Sequence, residues 1–282
     1  MELKRLSKSF KKGEFALSEI DFMLQRGEIV GLVGPNGAGK TTLMKVLSGL
    51  IVTYDGEFVH DSVKVGSLIE KPKFFPSKSG AYNIKYFCAL NGASTKQVDE
   101  VVQSLGMAPY LKKKVKHYSL GMKQRLGIAL ALVSNPDYLI LDEPTNGMDP
   151  DGIRNILSYL KRLVEERNIG LLISSHILED VENISDRVYV IKNGAIISEY
   201  TGKQVERILS ITLSNQDRQK AVAILSQRWD VTHNGAEVSV LSEDVKSVLK
   251  ELAEEGIYPE NVEKKQATLE DFYFEQMESE AT

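Results

Sequence analysis

Short apolar runs alternate along this chain with stretches whose apolar residues recur at helical spacing. Gly27-Glu28-Ile29-Val30-Gly31-Leu32-Val33 is short enough for a buried strand, and Leu43, Met44, Val46, Leu47 and Leu50 then repeat on one face of a helix from about Lys40 to Leu50. Residues 1–34 read as strands and turns, with Lys11-Lys12-Gly13 at a hairpin tip. Short strands are expected around Glu57–Val59 and Val63–Leu68, and mostly helix over 80–135. Tyr138-Leu139-Ile140-Leu141 is a fully apolar strand that ends in Asp142-Glu143. Pro150 opens a helix to about Arg167, and Gly170 to Ser174 is another buried strand. Asn193-Gly194 turns a hairpin between Arg187–Lys192 and Ala195–Tyr200. Strands that alternate with helices predict an α/β fold with a largely parallel sheet covered on both faces.

Beyond residue 200 the pattern restarts. Ile208–Leu213 alternates as a strand, Asn215–Gln227 reads as a helix, and Trp229–Thr232 with Glu237–Leu241 flanks a hairpin at His233-Asn234-Gly235. Ser242 is placed to cap a helix ending at Gly256, a strand lies near Val262, and Thr268-x-x-Asp271 opens a last helix. The order β-α-β-β-α-β resembles a ferredoxin-like unit. Charge shifts at the same place. Residues 201–282 hold 9 Lys and Arg against 16 Asp and Glu, while the remainder holds 26 against 23. The expected division is therefore a domain over 1–202 and a small α+β accessory domain over 203–282.

Composition narrows the class further. The 282 residues, 42% of them hydrophobic, can bury a sizeable core. The net charge of -4 gives no general pull toward nucleic acid or anionic lipid, and no basic stripe suggests nucleic acid. Lys112-Lys113-Lys114 with Lys116 reads first as a solvated face and second as a contact to lipid headgroups. The single cysteine, Cys88, excludes an internal disulfide, points to a reducing compartment and reads as a small buried hydrophobe. Met1-Glu2-Leu3-Lys4-Arg5 carries no apolar signal region, and Leu126 to Val133 falls far short of a membrane span. A membrane role is expected to use another chain.

The candidate chemistry sits between the first strand and its helix. Gly34-Pro35-Asn36-Gly37-Ala38-Gly39-Lys40-Thr41-Thr42 fits the phosphate-cradle pattern G-x-x-x-x-G-K-[ST] in full, in the strand–loop–helix context that the pattern requires. Backbone N–H groups turned inward and the helix N-terminus suit phosphate oxygens, Lys40 suits the β- and γ-phosphates, and Thr41 suits Mg²⁺. Asp142 and Glu143 close an apolar strand at the end where α/β sheets bind ligands. Asp142 is a candidate for Mg²⁺, and Glu143 for polarising the attacking water. Two acids at a strand end can also form a solvated turn, but the upstream cradle favours the catalytic reading.

Tyr118-Ser119-Leu120-Gly121-Met122-Lys123-Gln124-Arg125-Leu126 opens a helix with Ser119 as a plausible cap. Here the sequence resembles the ATP-binding subunit of ABC transporters over roughly residues 1–202. The motifs are the cradle at 34–42, a signature at 118–122, the Asp142-Glu143 strand, Asn146-Gly147-Met148-Asp149 as the D-loop and His176 as the switch histidine. The resemblance implies an ABC-type P-loop fold with a mixed sheet and a helical subdomain at about 70–135. It also implies a head-to-tail dimer, expected to pair two copies of this chain. ATP and Mg²⁺ then lie between one copy's cradle and the other's Ser119, Gly121 and Asp149. Hydrolysis would power a separate transmembrane permease, which holds the protein at the cytoplasmic face of the membrane. The rival from another class is a soluble ABC-type ATPase acting on ribosomes or DNA. No second ATP domain or long coiled coil favours it.

The departures are informative. The family signature is usually Leu-Ser-Gly-Gly-Gln, whereas Leu120 and Met122 stand here for the first Gly and the Gln. The family's switch glutamine falls near Val65-Gly66-Ser67-Leu68-Ile69-Glu70, where this chain offers Glu70, beside the expected Mg²⁺. The adenine-stacking aromatic matches Phe10, with Phe15 the alternative and plain core the competing role. These features resemble the bacitracin-resistance and lantibiotic-immunity branch, which moves peptides or protects the membrane from them. In the family, the segment after Glu70 receives a cytoplasmic helix of the permease, and Phe74, Phe75 and Tyr82 are candidates to line that groove.

Overall fold

A computed structural model describes residues 1–278 except 12, 61, 71, 72, 202–206, 236, 243 and 267. Lys12 of the expected hairpin tip, the pair Lys71-Pro72 and the expected boundary at 202–203 lie outside the described residues. The chain divides into two compact units, residues 1–201 and 202–282.

In the first unit, β1 (Glu2–Lys11) and β2 (Glu14–Met23) form an antiparallel hairpin before β3 (Ile29–Val33) and α1 (Lys40–Leu47). There follow β4 (Asp55–Val59), β5 (Val65–Leu68), α2 (Gly80–Leu90), α3 (Thr95–Ser104) and α4 (Leu120–Ala131). The unit continues through β6 (Tyr138–Asp142), α5 (Pro150–Arg167), β7 (Gly170–Ser174), α6 (Leu178–Ile184), β8 (Arg187–Lys192) and β9 (Ala195–Tyr200). The main sheet has the order β5-β6-β7-β3-β8-β9, parallel as far as β8 and antiparallel at β9. It is therefore mixed. A smaller antiparallel sheet has the order β2-β1-β4.

Every residue of β3, β6 and β7 is buried, as expected of strands covered on both faces. Side chains alternate between those faces. Leu139, Leu141, Leu171 and Ile173 pack with Leu105, Leu126, Ile156 and Leu160 of the helical layer. Val30, Leu32, Ile140 and Leu172 face the other way, toward Leu3, Leu6, Leu17, Leu43 and Leu47. Because β6, β7 and β3 are neighbours, the loops at their C-terminal ends converge in the crevice where such sheets hold ligands.

α1 stops earlier than its apolar spacing predicts. Ser48 caps it, Gly49 takes φ +72°, and the Leu50 N–H reaches back to the Lys45 carbonyl at 2.9 Å. This is a glycine-terminated Schellman closure, and it leaves Leu50 exposed. At the opposite edge of the sheet, Asn193 (φ +50°) and Gly194 (φ +82°) make the tight turn between β8 and β9. At the other end of β8, the Arg187 guanidinium donates to Glu28 at 2.6 Å, Glu199 at 3.1 Å and the Met23 carbonyl at 2.6 Å.

The second unit contains β10 (Arg207–Thr212), α7 (Asn215–Leu225), β11 (Val231–Asn234), β12 (Glu237–Leu241), α8 (Val245–Glu254), β13 (Asn261–Gln266) and α9 (Leu269–Glu278). Its antiparallel sheet has the order β11-β12-β10-β13, around a separate core that includes Leu209, Ile211, Leu225, Val238 and Leu252. Two local expectations are corrected. α8 is capped by Asp244, whose carboxylate accepts from the Ser247 N–H at 3.1 Å, while Ser242 only accepts from the Asp244 N–H. His233 and Asn234 belong to β11, paired with Val238 and Glu237, so the turn is shorter than His233-Asn234-Gly235 implies. Thr268 and Asp271 bond reciprocally at the start of α9.

Candidate active site

Gly39 begins the cradle helix with φ +110° and has no side chain to cap it. The Leu43 N–H is the first to bond back along α1, to the Gly39 carbonyl at 2.9 Å. The N–H groups of Lys40, Thr41 and Thr42 thus have no acceptor among the described residues, a ready place for anionic oxygens. The Lys40 ammonium donates to the Gly34 carbonyl at 2.6 Å and the Pro35 carbonyl at 3.0 Å, spanning the loop from within. Burial pushes its pKa down, while the charges of Glu143 and Asp142 oppose that shift. Gly194 donates from the β8–β9 turn to the Ala38 carbonyl at 2.9 Å and braces the loop from behind.

Asp142 lies beneath α1. Its Oδ2 accepts from the Thr41 hydroxyl at 3.0 Å, and its Oδ1 accepts from Ser174 Oγ at 2.7 Å. The Glu143 N–H donates to the same Ser174 Oγ at 3.1 Å, so β6 and β7 share one hydroxyl at their ends. Glu143 takes φ +48°, an uncommon conformation for a non-glycine residue. Asn146 Nδ2 donates to its Oε2 at 3.3 Å, and His176 Nδ1 lies 3.7 Å from the same oxygen. Gln124 Nε2 donates to the Glu143 carbonyl at 3.3 Å, and its buried Oε1 has no partner among the described residues.

These groups line a cavity of about 280 Å³, walled by Ala16, residues 36–42, Glu70, Gln124, Asp142, Glu143 and Asn146. A hydroxyl and a carboxylate oxygen 3.0 Å apart are hard donors of the kind Mg²⁺ takes. Among the described residues no group of three or more acidic, histidine or cysteine side chains could hold a metal alone, so phosphate oxygens and water would complete the shell.

Not every residue singled out from sequence reaches this cavity. Glu70 lines it, with its Oε1 2.6 Å from the Lys45 ammonium on α1. Phe10 does not line the cavity and is not core. It is 64% exposed on β1, with Lys8 Nζ 5.1 Å from its ring centre, and Phe15 is exposed as well. Ser119 caps α4 by accepting from the Met122 N–H at 3.2 Å, and Asp149 caps α5 by accepting from the Gly152 N–H at 3.1 Å. Ser119, Gly121 and Asp149 lie outside this cavity wall, although the two segments touch: a Cβ on Gly147 (φ +73°) would overlap the Leu120 side chain. Ser174 and Gln124 were not singled out from sequence, and Asn146 was named only as part of the D-loop. Parallel register puts Ser174 opposite Asp142, and Gln124 is a polar residue on the buried side of α4, which were the available signals.

Residues 17–146 match the ABC transporter family. The uncharacterized ABC transporter ATP-binding protein YhcH of Bacillus subtilis (strain 168) is 34% identical, over 98% of this chain and 95% of its own. The bacitracin transport ATP-binding protein BcrA of Enterococcus faecalis is 33% identical, over 97% of this chain and 94% of its own. The dimeric structure of MJ0796, a bacterial ABC transporter cassette, superposes with a TM-score of 0.65 at 25% identity, covering 71% of this chain and 97% of the cassette. With these relatives and the cradle geometry together, the chain belongs to the ATP-hydrolysing, ATP-binding subunits of ABC transporters.

Proposed function

We propose that this chain is the ATPase of a peptide exporter, acting as a homodimer beneath a separate permease at the cytoplasmic face of the membrane. The observation that carries the reading is the hydrogen-bonded chain Thr41–Asp142–Ser174–Glu143 under an open phosphate cradle. The likeness to a bacitracin transport protein supports the substrate class. The dimeric MJ0796 cassette supports pairing.

Thr41 and Asp142 would hold Mg²⁺, which when bound offsets charge on the β- and γ-phosphates. Lys40 exchanges its two carbonyl partners for phosphate oxygens, while the free N–H groups of α1 orient them. Glu143, fixed through its backbone at the strand end, accepts a proton from the attacking water. His176, 3.7 Å from Glu143, holds that carboxylate toward the γ-phosphate. In the head-to-tail pair, the start of α4 with Ser119 and Gly121 meets nucleotide held by the other copy, and Asp149 borders that contact. Each copy therefore holds the other through the γ-phosphate, and hydrolysis releases it. Phe10 stacks on adenine from its exposed position on β1. Phe75 and Tyr82, edge to face at 6.2 Å, with half-buried Phe74 beside them, receive the permease.

Glu143→Gln should abolish turnover, retain ATP and trap the dimer, read by phosphate release and size-exclusion chromatography; full turnover would remove Glu143 from its role. Lys40→Ala should lose ATP binding in an equilibrium titration. Phe75→Ala should weaken capture of the permease and leave ATP binding intact; unchanged capture would remove the groove.

A further inference from the structure

Residues 71–136 hold 11 Lys and Arg against only Asp99 and Glu100, while the rest of the chain holds 24 against 37. A net charge of -4 thus conceals one strongly basic segment in an acidic molecule. The fold brings part of that segment together. Residues 76–81 run antiparallel to 111–116: Lys116 N–H bonds to the Pro76 carbonyl at 2.8 Å, Val115 N–H to Lys78 at 2.9 Å and Ala81 N–H to Leu111 at 2.9 Å. Lys78 is thereby brought alongside Lys113, Lys114 and Lys116. All four side chains are exposed, and none is within ion-pair distance of a carboxylate among the described residues. The Lys78 ammonium lies 5.1 Å from the centre of the Tyr82 ring. Tyr82, Lys85 and Tyr86 form the exposed stripe of α2, at the spacing of one helical face, and Phe75 packs edge-on to Tyr86 at 4.9 Å.

We propose that Lys78, Lys113, Lys114 and Lys116 bind the anionic phospholipid headgroups of the membrane surface and turn this face toward the bilayer. The inference rests on the transporter reading, which sets the protein beside a membrane. Unpaired lysines keep their full attraction for a negative surface, and they border the Phe75 and Tyr82 contact to the permease, which itself lies in the membrane. The rest of residues 1–201 holds 15 Lys and Arg against 21 Asp and Glu and is repelled by the same surface, so charge favours the lysines of the first unit as the point of contact. Attraction of this kind acts within about 10 Å at moderate salt, which requires the lysines to lie at the surface itself.

The test uses the full chain without permease and sedimentation with sucrose-loaded vesicles. Binding is expected to vesicles of phosphatidylcholine mixed with phosphatidylglycerol, not to phosphatidylcholine alone, and to be lost at high salt. Joint substitution Lys78→Gln, Lys113→Gln, Lys114→Gln and Lys116→Gln should weaken partitioning by roughly fivefold per lysine, nearly three orders of magnitude in all, with ATPase activity kept. Lys246→Gln with Lys250→Gln, in the second unit, should leave vesicle binding unchanged. No sedimentation of the native chain with anionic vesicles, or equal sedimentation of the fourfold variant, overturns the proposal. Loss of permease capture in detergent by that variant, with no vesicle binding by the native chain, assigns the lysines to an acidic protein segment instead. Permease capture by the native chain is measured separately, so failure of the lipid contact and failure of the transporter reading are told apart.

Discussion

The ion pair between Lys45 and Glu70 is the most informative single contact in which this chain departs from its family's pattern. A carboxylate on the cavity wall repels the phosphates that the cradle attracts, and the ammonium 2.6 Å away offsets that charge. The Glu70 carboxyl is held below the usual carboxylate range, first by the hydrogen bond from Lys45 and then by its charge. A carboxyl more acidic in the folded state contributes above its unfolded pKa and loses that contribution as the pH falls through the folded value. The pair is therefore complete at neutral pH. Lys45→Ala should raise KM for ATP severalfold, and adding Glu70→Gln should bring it back. Equal KM values for the native, single and double variants would deny the pair an electrostatic role. At this scale, the sequence made the cradle legible because its residues are contiguous and their backbone does the binding. Glu70 was legible as a residue but not as a partner of Lys45, since that pairing spans separate elements. The exposure of Phe10 was not legible either, because it depends on where β1 leaves its neighbours.

Among the elements, one hydrogen-bonded ion pair joins neighbouring strands at the end of the sheet away from the active site. Arg187 and Glu28 are mostly shielded from water, and their hydrogen bonds join β8 to β3 and to the end of β2. Arg187→Ala strands the Glu28 carboxylate and should cost about 3–5 kcal/mol in urea unfolding. Asp149→Ala removes only the cap of α5 and should cost about 1 kcal/mol, with a helix end loosened beside the signature segment. A cost for Arg187→Ala no larger than for Asp149→Ala would show the network to be incidental. Strand positions were legible because β3, β6 and β7 are apolar throughout. Helix ends were less so. Apolar spacing carried α1 to Leu50, yet Gly49 in a left-handed turn ended it at Leu47, because backbone geometry overrides periodicity at the last turn. Asp244 displaced Ser242 as the cap of α8 for a related reason, since the ring closes from the residue that immediately precedes the helix.

The whole chain consists of two units whose cores share no residue. Residues 1–201 expressed alone should bind ATP with the affinity of the full chain, and calorimetry of the full chain should resolve two transitions; one transition abolished by truncation would make the units interdependent. The change of charge near residue 200 is the sequence feature from which a division was expected, because composition averages over many positions and tolerates local error. The basic face was harder to see, since the lysines of 78 and 113–116 meet only when two segments align. The uneven spread of charge also reaches the bench. A protein with a formal charge of -4 at neutral pH is expected to pass through a cation-exchange column. This one should be retained by such a resin as well as by its anion-exchange counterpart, because each bead meets whichever side of the molecule suits it.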